Sequence, residues 1–339
     1  MTKKVILTGL RANNDLHIGN YFGAILPTVD MAKNQSKDYQ VNLFVPDLHS
    51  FTTPIDFRLL QGQILSTLRV LIASGLPLDN PDVHIYRQSY IPAHSELAYI
   101  LSCFTSFGQL SRMTQFKEKS ASREVSTGLF NYPVLMASDI LLYSATYVPV
   151  GDDQTQHLEF TRDIAQRMNT RFGDLFTVPV EVKKQHELFA RDQGLRIMDL
   201  QDSIKKMSKS DATGKGVIFL TDTPGQARKK IMSATTDSEE SVLYDPKKRP
   251  GISNLIEILA LLEKTTPEEV AKRYEGQTMY GPLKEELASK MALFLTDFQA
   301  ELSKVSDDKL LKKLDDSEHE MNIVATETLL RVQKAVGLR

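Results

Sequence analysis

Residues 5–21, Val5-Ile6-Leu7-Thr8-Gly9-Leu10-Arg11-Ala12-Asn13-Asn14-Asp15-Leu16-His17-Ile18-Gly19-Asn20-Tyr21, change their hydrophobic period partway through. An apolar, β-branched run ends at Gly9, and an apolar helical pattern then runs from Tyr21 to Met31. Such a run suits a parallel strand buried on both faces. Val41-Asn42-Leu43-Phe44-Val45 and Val83-His84-Ile85-Tyr86 repeat it. Between them, residues 54–73 place Phe57, Leu60, Ile64, Leu65, Leu68, Leu71 and Ile72 at three-and-four spacing, the stripe of an amphipathic helix. Thr53 is placed to cap that helix, Pro54 suits its first position and Gly75 its end. Alternation of strand and helix predicts an α/β fold with a doubly wound parallel sheet, whose ligands sit beyond the carboxyl ends of the strands.

Beyond about residue 222 no strand pattern remains. Thr223-Pro224 opens one helix, and Thr266-Pro267-Glu268-Glu269 opens another with the signature of a capping box. Met321, Val324, Ala325, Thr328, Val332 and Ala335 trace one face of a last helix. An all-helical region therefore follows the sheet.

Of the 339 residues, 41% are hydrophobic and 25% charged, which excludes wholesale disorder. Lys and Arg number 41 against 43 Asp and Glu, a net charge of −2, so a nucleic-acid partner would need a local basic patch. The single cysteine, Cys103, can form neither an internal disulfide nor a Cys-rich zinc site, and a reducing cytoplasmic setting is expected. The apolar run after Lys3-Lys4 is too short for a signal peptide, and no window of ~18 residues is apolar enough to span a membrane.

The missing glycine motifs narrow the chemistry. Gly214-Lys215 is followed by Gly216, so no P-loop forms, and the glycine fingerprint of dinucleotide enzymes fails at Phe219. No H-E-x-x-H motif occurs.

Three segments remain as carriers of chemistry. The turn from Thr8 to Asn20 ends at a helix start, where free N–H groups favour an anion and His17 can donate to phosphate oxygens. A capped turn with a surface histidine is the plainer alternative. Lys205-Lys206-Met207-Ser208-Lys209-Ser210-Asp211, followed by Gly214 and Gly216, is suited to stabilise charge on a leaving pyrophosphate, or is a solvated linker. Asp139 lies within Val134-Leu135-Met136-Ala137-Ser138-Asp139-Ile140-Leu141-Leu142, and a carboxylate buried there needs a donor from the protein or from a ligand. After it come a short strand at Tyr147–Val150, a glycine turn, and a polar helix start holding Asp152, Asp153, His157 and Glu159. These last four suit an ordinary acidic first turn, and no metal site is expected of them.

His17-Ile18-Gly19-Asn20 and Lys206-Met207-Ser208-Lys209-Ser210 resemble the two signatures of class I aminoacyl-tRNA synthetases. Met113-Thr114-Gln115-Phe116-Lys117-Glu118-Lys119-Ser120, Gly151-Asp152-Asp153-Gln154 and Pro250-Gly251-Ile252-Ser253-Asn254-Leu255 are similar to segments of bacterial-type tryptophanyl-tRNA synthetases. The resemblance runs from about residue 5 to the C-terminus.

The resemblance implies a cytoplasmic homodimer with a Rossmann-like catalytic domain over residues 1–215 and an all-helical, tRNA-contacting domain over 216–339. The last helix would pack back on the first domain. The implied substrates are L-tryptophan, ATP with Mg²⁺, and tRNA(Trp), with no resident metal. His17, Lys206 and Lys209 take the catalytic roles. ATP contacts fall on Arg11, Ala12, Asn13, His17, Gly19, Asn20, Gly151, Asp152, Asp153, Ile197, Lys206, Met207, Ser208, Lys209 and Ser210. Tryptophan contacts fall on Gly9, His49, Met136, Asp139, Ile140, Val148, Val150 and Gln154. Arg11 stands where many members carry Gln, and Asn13-Asn14-Asp15 replaces a common small-residue turn. The nearest rival by resemblance is the tyrosyl sister enzyme, from which the Gly151–His157 and Met113–Lys117 segments separate this chain. A pantothenate-synthetase-like enzyme and an inactive paralogue are further alternatives.

Overall fold

The computed structural model describes residues 3–12, 16–52, 55–120, 126–189, 196–208 and 214–339. Asn13, Asn14, Asp15, Thr53, Pro54, Lys209 and Ser210 lie outside the described residues, as do the side chains of Asp152, Glu118, Lys119 and Ser120.

Four parallel strands, β1 (Lys4–Gly9), β2 (Tyr39–Val45), β3 (Val83–Arg87) and β4 (Ala145–Tyr147), form one sheet in the order β3-β2-β1-β4. The winding reverses between β1 and β4, so the ligand crevice of such a sheet opens at their carboxyl ends. Successive strand residues face opposite sides. Ile6, Val41, Leu43, Val45, Val83 and Ile85 enter one core, while Leu7, Phe44 and Tyr86 enter the other. The first core continues into the helical region through Ile252, Leu255, Leu283 and Leu287. Helices Ala93–Cys103, Thr127–Leu141 and Thr155–Phe172 cover the second face.

Three elements differ from what the sequence suggests, the first being the helix expected over Tyr21–Met31, which is a π-helical turn Tyr21–Ile25 continued by an α-helix Leu26–Gln35. The expected helix from residue 54 starts later, as a 3₁₀ turn Phe57–Leu59 followed by Leu60–Ala73. Asp56 is the cap, its carboxylate accepting from Arg58 N at 3.0 Å. The expected strand at Tyr147–Val150 stops at Tyr147. Pro149 has no N–H to continue a ladder, and Val148 N donates instead to Gln185 Oε1 at 2.7 Å.

Among the described residues every strand precedes residue 148, and helices Pro224–Met232, Pro250–Glu263, Pro267–Arg273, Gly281–Ser303 and Asp307–Ala335 follow. Thr266 makes the expected capping box with Glu269, and Thr223 makes a second one with Gln226. In the last helix Met321, Ala325, Thr328 and Val332 are buried, but Val324 is exposed. The buried stripe instead runs back through Ser317, Leu314 and Leu310. This helix lies on edge strand β3. Ile85 N donates to Ser317 Oγ at 3.3 Å and Arg87 N to Glu318 Oε1 at 3.1 Å. Side chains of a helix thus occupy strand N–H groups that no further strand pairs. No helix among the described residues is long and apolar enough to cross a membrane.

Candidate active site

His17 ends the turn after β1 in extended conformation, and its carbonyl accepts from Asn20 N at 2.9 Å and Tyr21 N at 3.0 Å. Asn20 Oδ1 accepts in turn from His17 N at 3.2 Å. His17 is 5% exposed, so the surface-histidine alternative does not hold. The flanking backbone explains its burial. Ile18 N donates to Ile218 O at 3.0 Å and Leu220 N to Leu16 O at 2.9 Å, tying the first signature to the segment that follows the lysine-rich loop. A Cβ on Gly19 would stand 2.9 Å from His17 Nδ1 and 3.7 Å from Met207 Cβ. The two signatures, far apart in the chain, are therefore packed against each other.

The base of the lysine-rich loop is a backbone hairpin. Met207 N donates to Ile197 O at 3.0 Å, and Asp199 N to Lys205 O at 2.8 Å. Ile197 and Met207 are buried in the core, while Lys206 and Ser208 are exposed. Asn254 holds this hairpin with both ends of its amide: Met198 N donates to Oδ1 at 2.9 Å, and Nδ2 donates to Met198 O at 3.0 Å. A Cβ on Gly251 would meet Thr235 O at 2.7 Å, which explains the glycine in the Pro250–Leu255 segment.

Asp139, on the Thr127–Leu141 helix, is 1% exposed and meets donors from beyond two strands, β2 and β3, and from the Ala93–Cys103 helix. His49 Nε2, just beyond β2, lies 2.8 Å from Oδ2. Gln88 Nε2, directly after β3, donates to Oδ1 at 2.7 Å, and His94 Nδ1 lies 2.6 Å from the same oxygen. Burial alone would push the carboxyl upward, but the hydrogen bonds from His49 and His94 outweigh it and hold the group at about 2. A carboxylate offers about four acceptor sites. Three are filled here, two on Oδ1 and one on Oδ2. Among the described residues no donor fills the fourth position, on Oδ2 beside the partly exposed His49.

Tyr132 precedes Asp139 by two turns of the same helix, and its ring stands edge-on to His49 at 6.2 Å. Its hydroxyl donates to Gln115 Oε1 at 2.9 Å and contacts His157 Nε2. Gln115 Nε2 reaches the Asp153 carbonyl at 3.2 Å, and Gln154 Nε2 donates to Asp153 Oδ2 at 2.7 Å. The Met113–Lys117 and Gly151–Gln154 segments thus meet over Tyr132. Gly9 lies against Phe44, whose ring a Cβ would meet at 3.0 Å. Met136 and Val150 are half-buried, whereas Val148 and Ile140 belong to the core. Arg11, Gly151 and Asp153 are exposed and Ala12 is buried. Gln88, His94, Tyr132 and Tyr143 were not singled out by sequence. Tyr132 was the one within reach, since 132, 136 and 139 share a helix face.

A doubly wound parallel sheet, with a buried histidine at the first helix start and a lysine loop packed on it, defines a nucleotide-dependent α/β enzyme. The family profile of class I tRNA synthetases (W and Y) matches residues 2–296, and the chain belongs to that family. Within it, the tryptophan–tRNA ligase of Caldanaerobacter subterraneus subsp. tengcongensis is 44% identical over 336 residues, 99% of this chain and 98% of that one. The tryptophan–tRNA ligase of Clostridium perfringens is 42% identical over 349 aligned positions, covering 99% of this chain and 98% of its own. The crystal structure of tryptophanyl-tRNA synthetase from Mycoplasma pneumoniae superposes with a TM-score of 0.82 at 33% identity, over 100% of this chain and 99% of that one. That of the Campylobacter jejuni enzyme complexed with ADP and tryptophan does so with 0.79 at 30% identity, over 98% and 99%.

Proposed function

We infer that this chain is an enzyme that activates L-tryptophan with ATP to tryptophanyl-adenylate and transfers it to tRNA(Trp). The free acceptor position on Asp139 carries the choice of amino acid. An indole N–H is a donor only and an ionised carboxylate an acceptor only, so the two match. Met136 and Val150 supply apolar walls beside it, and His49 closes the acceptor side.

ATP enters as its Mg²⁺ complex, the ion travelling with the substrate. The tryptophan carboxylate attacks the α-phosphorus, the bond to the β-phosphate oxygen breaks, and pyrophosphate leaves. His17, Lys206 and Lys209 stabilise the charge that develops, with ATP bound by Arg11, Ala12, Asn13, His17, Gly19 and Asn20, by Gly151–Asp153, by Ile197 and by Lys206–Ser210. No covalent enzyme intermediate is needed. The catalytic domain spans 1–215, and the helical domain, 216–339, contacts the tRNA. The enzyme works in the cytoplasm as a homodimer, for which the exposed Tyr99 and Phe107 offer apolar surface to a second copy.

The test is charging of a tRNA(Trp) transcript by the purified chain. Tryptophan and ATP should give charged tRNA, and Lys209→Ala should lower kcat by ~10²–10³ with little change in KM for tryptophan. Absence of charging would reject the reading.

A further inference from the structure

His94 is fully buried and does not line the crevice, yet both its ring nitrogens are committed. Nδ1 lies 2.6 Å from Asp139 Oδ1 and Nε2 lies 2.7 Å from the Tyr143 hydroxyl. The ring is held by Phe44, Tyr86 and Tyr143, with centroids 6.4, 6.5 and 5.5 Å away. Burial, and after it the Asp139 charge, push the Tyr143 hydroxyl well up, so it stays protonated and can donate. A Tyr143 O–H pointing at Nε2 leaves the proton of a neutral imidazole on Nδ1, facing the carboxylate. In the other tautomer two lone pairs would face each other at 2.6 Å, and a proton would have to lie between them. Asp139 would then turn from acceptor into O–H donor.

We propose that His94, its tautomer set by Tyr143, is a positioning residue that keeps Asp139 an ionised acceptor and turns its one vacant lone pair toward the substrate ring N–H. The proposal rests on the reading of Asp139 as the indole acceptor and adds what makes that acceptor selective. His94 fills Oδ1 together with Gln88, which leaves only Oδ2 to read the ligand. Asp139 alone would accept a donor from several directions.

The experiment compares tryptophan with benzothienylalanine, in which sulfur replaces the indole N–H at nearly the same shape. The ratio of their kcat/KM values in pyrophosphate exchange isolates that one donor. Wild type should favour tryptophan by ~10⁴. His94→Leu should shrink the ratio by ~10–100-fold, the usual cost of losing a group that orients a first ligand. Tyr143→Phe should shrink it in the same direction, and His94→Asn, which restores an N–H near the Nδ1 position, should recover most of it. If both substrates fall by one common factor in His94→Leu and Tyr143→Phe, His94 is a packing residue and the proposal is wrong. Should His94→Leu fail to fold, Tyr143→Phe alone decides: an unchanged ratio overturns the proposal. A wild-type ratio retained in Asp139→Asn would instead sink the underlying reading of Asp139, whatever the His94 variants do.

Discussion

Gly19 leaves room for Met207: a Cβ at position 19 would stand 3.7 Å from the Met207 Cβ, with the His17 ring closer still at 2.9 Å. The two signature segments therefore meet through a gap the size of one missing side chain. Gly19→Ala should push the His17 ring aside. A misplacement of about 1 Å typically costs ~10² in rate, so kcat should fall by roughly that factor while KM for tryptophan holds. Pyrophosphate-exchange kinetics over a tryptophan series would measure both.

Asn254 should matter to stability and activity together. Asn254→Ala strands the N–H and carbonyl of Met198 without their partners, and Asn254 itself is 2% exposed. Both bonds are part-buried, so denaturant unfolding should show a loss of about 1–3 kcal/mol. The hairpin that carries Lys206 should loosen at the same time, lowering kcat.

Glu318 joins the last helix to the sheet edge. Its two oxygens bind Arg87 Nε at 2.6 Å and Nη2 at 2.7 Å, and both side chains are under a tenth exposed. Glu318→Ala would leave the Arg87 guanidinium buried without its acceptor, a loss of about 3–5 kcal/mol in unfolding experiments. Glu318→Gln keeps an acceptor for Arg87 N and should cost less.

The Asp139 carboxyl, at about 2, lies below its ordinary value of 3.8. A group depressed in the folded state stabilises the fold above its unfolded pKa. That contribution is lost as pH falls through the folded value. Asp139 should therefore contribute about 2 kcal/mol at pH 4 and above, fading between pH 4 and 2, and Asp139→Asn should flatten that part of the stability curve. Its titration should leave no step in KM for tryptophan between pH 5.5 and 8.

Strands β1, β2 and β3 and the Thr266 capping box were legible in the sequence because their causes are local. Val5-Ile6-Leu7 and Thr266-Pro267-Glu268-Glu269 contain their own explanation. Asp139 was legible as a group that needs a partner, since its neighbours along the chain are apolar. Its partners were not, because His49, Gln88 and His94 lie 90, 51 and 45 residues away and converge only when the ends of β2 and β3 and the Ala93–Cys103 helix come together in the fold. The burial of His17 escaped for the same reason: its cover comes from residues 218–220. The Leu60–Ala73 helix starts late because a 3₁₀ turn, Phe57–Leu59, precedes it, and Asp56 caps that turn through the bond from Arg58 N.

The most direct test of the whole account is ATP–pyrophosphate exchange with tryptophan, tyrosine and phenylalanine presented one at a time. Tryptophan should support exchange, phenylalanine should fall by ~10⁴ because it leaves the Asp139 acceptor unfilled, and tyrosine should fail on shape. Exchange with tyrosine at a kcat/KM equal to that with tryptophan, or none with tryptophan at all, would contradict the account.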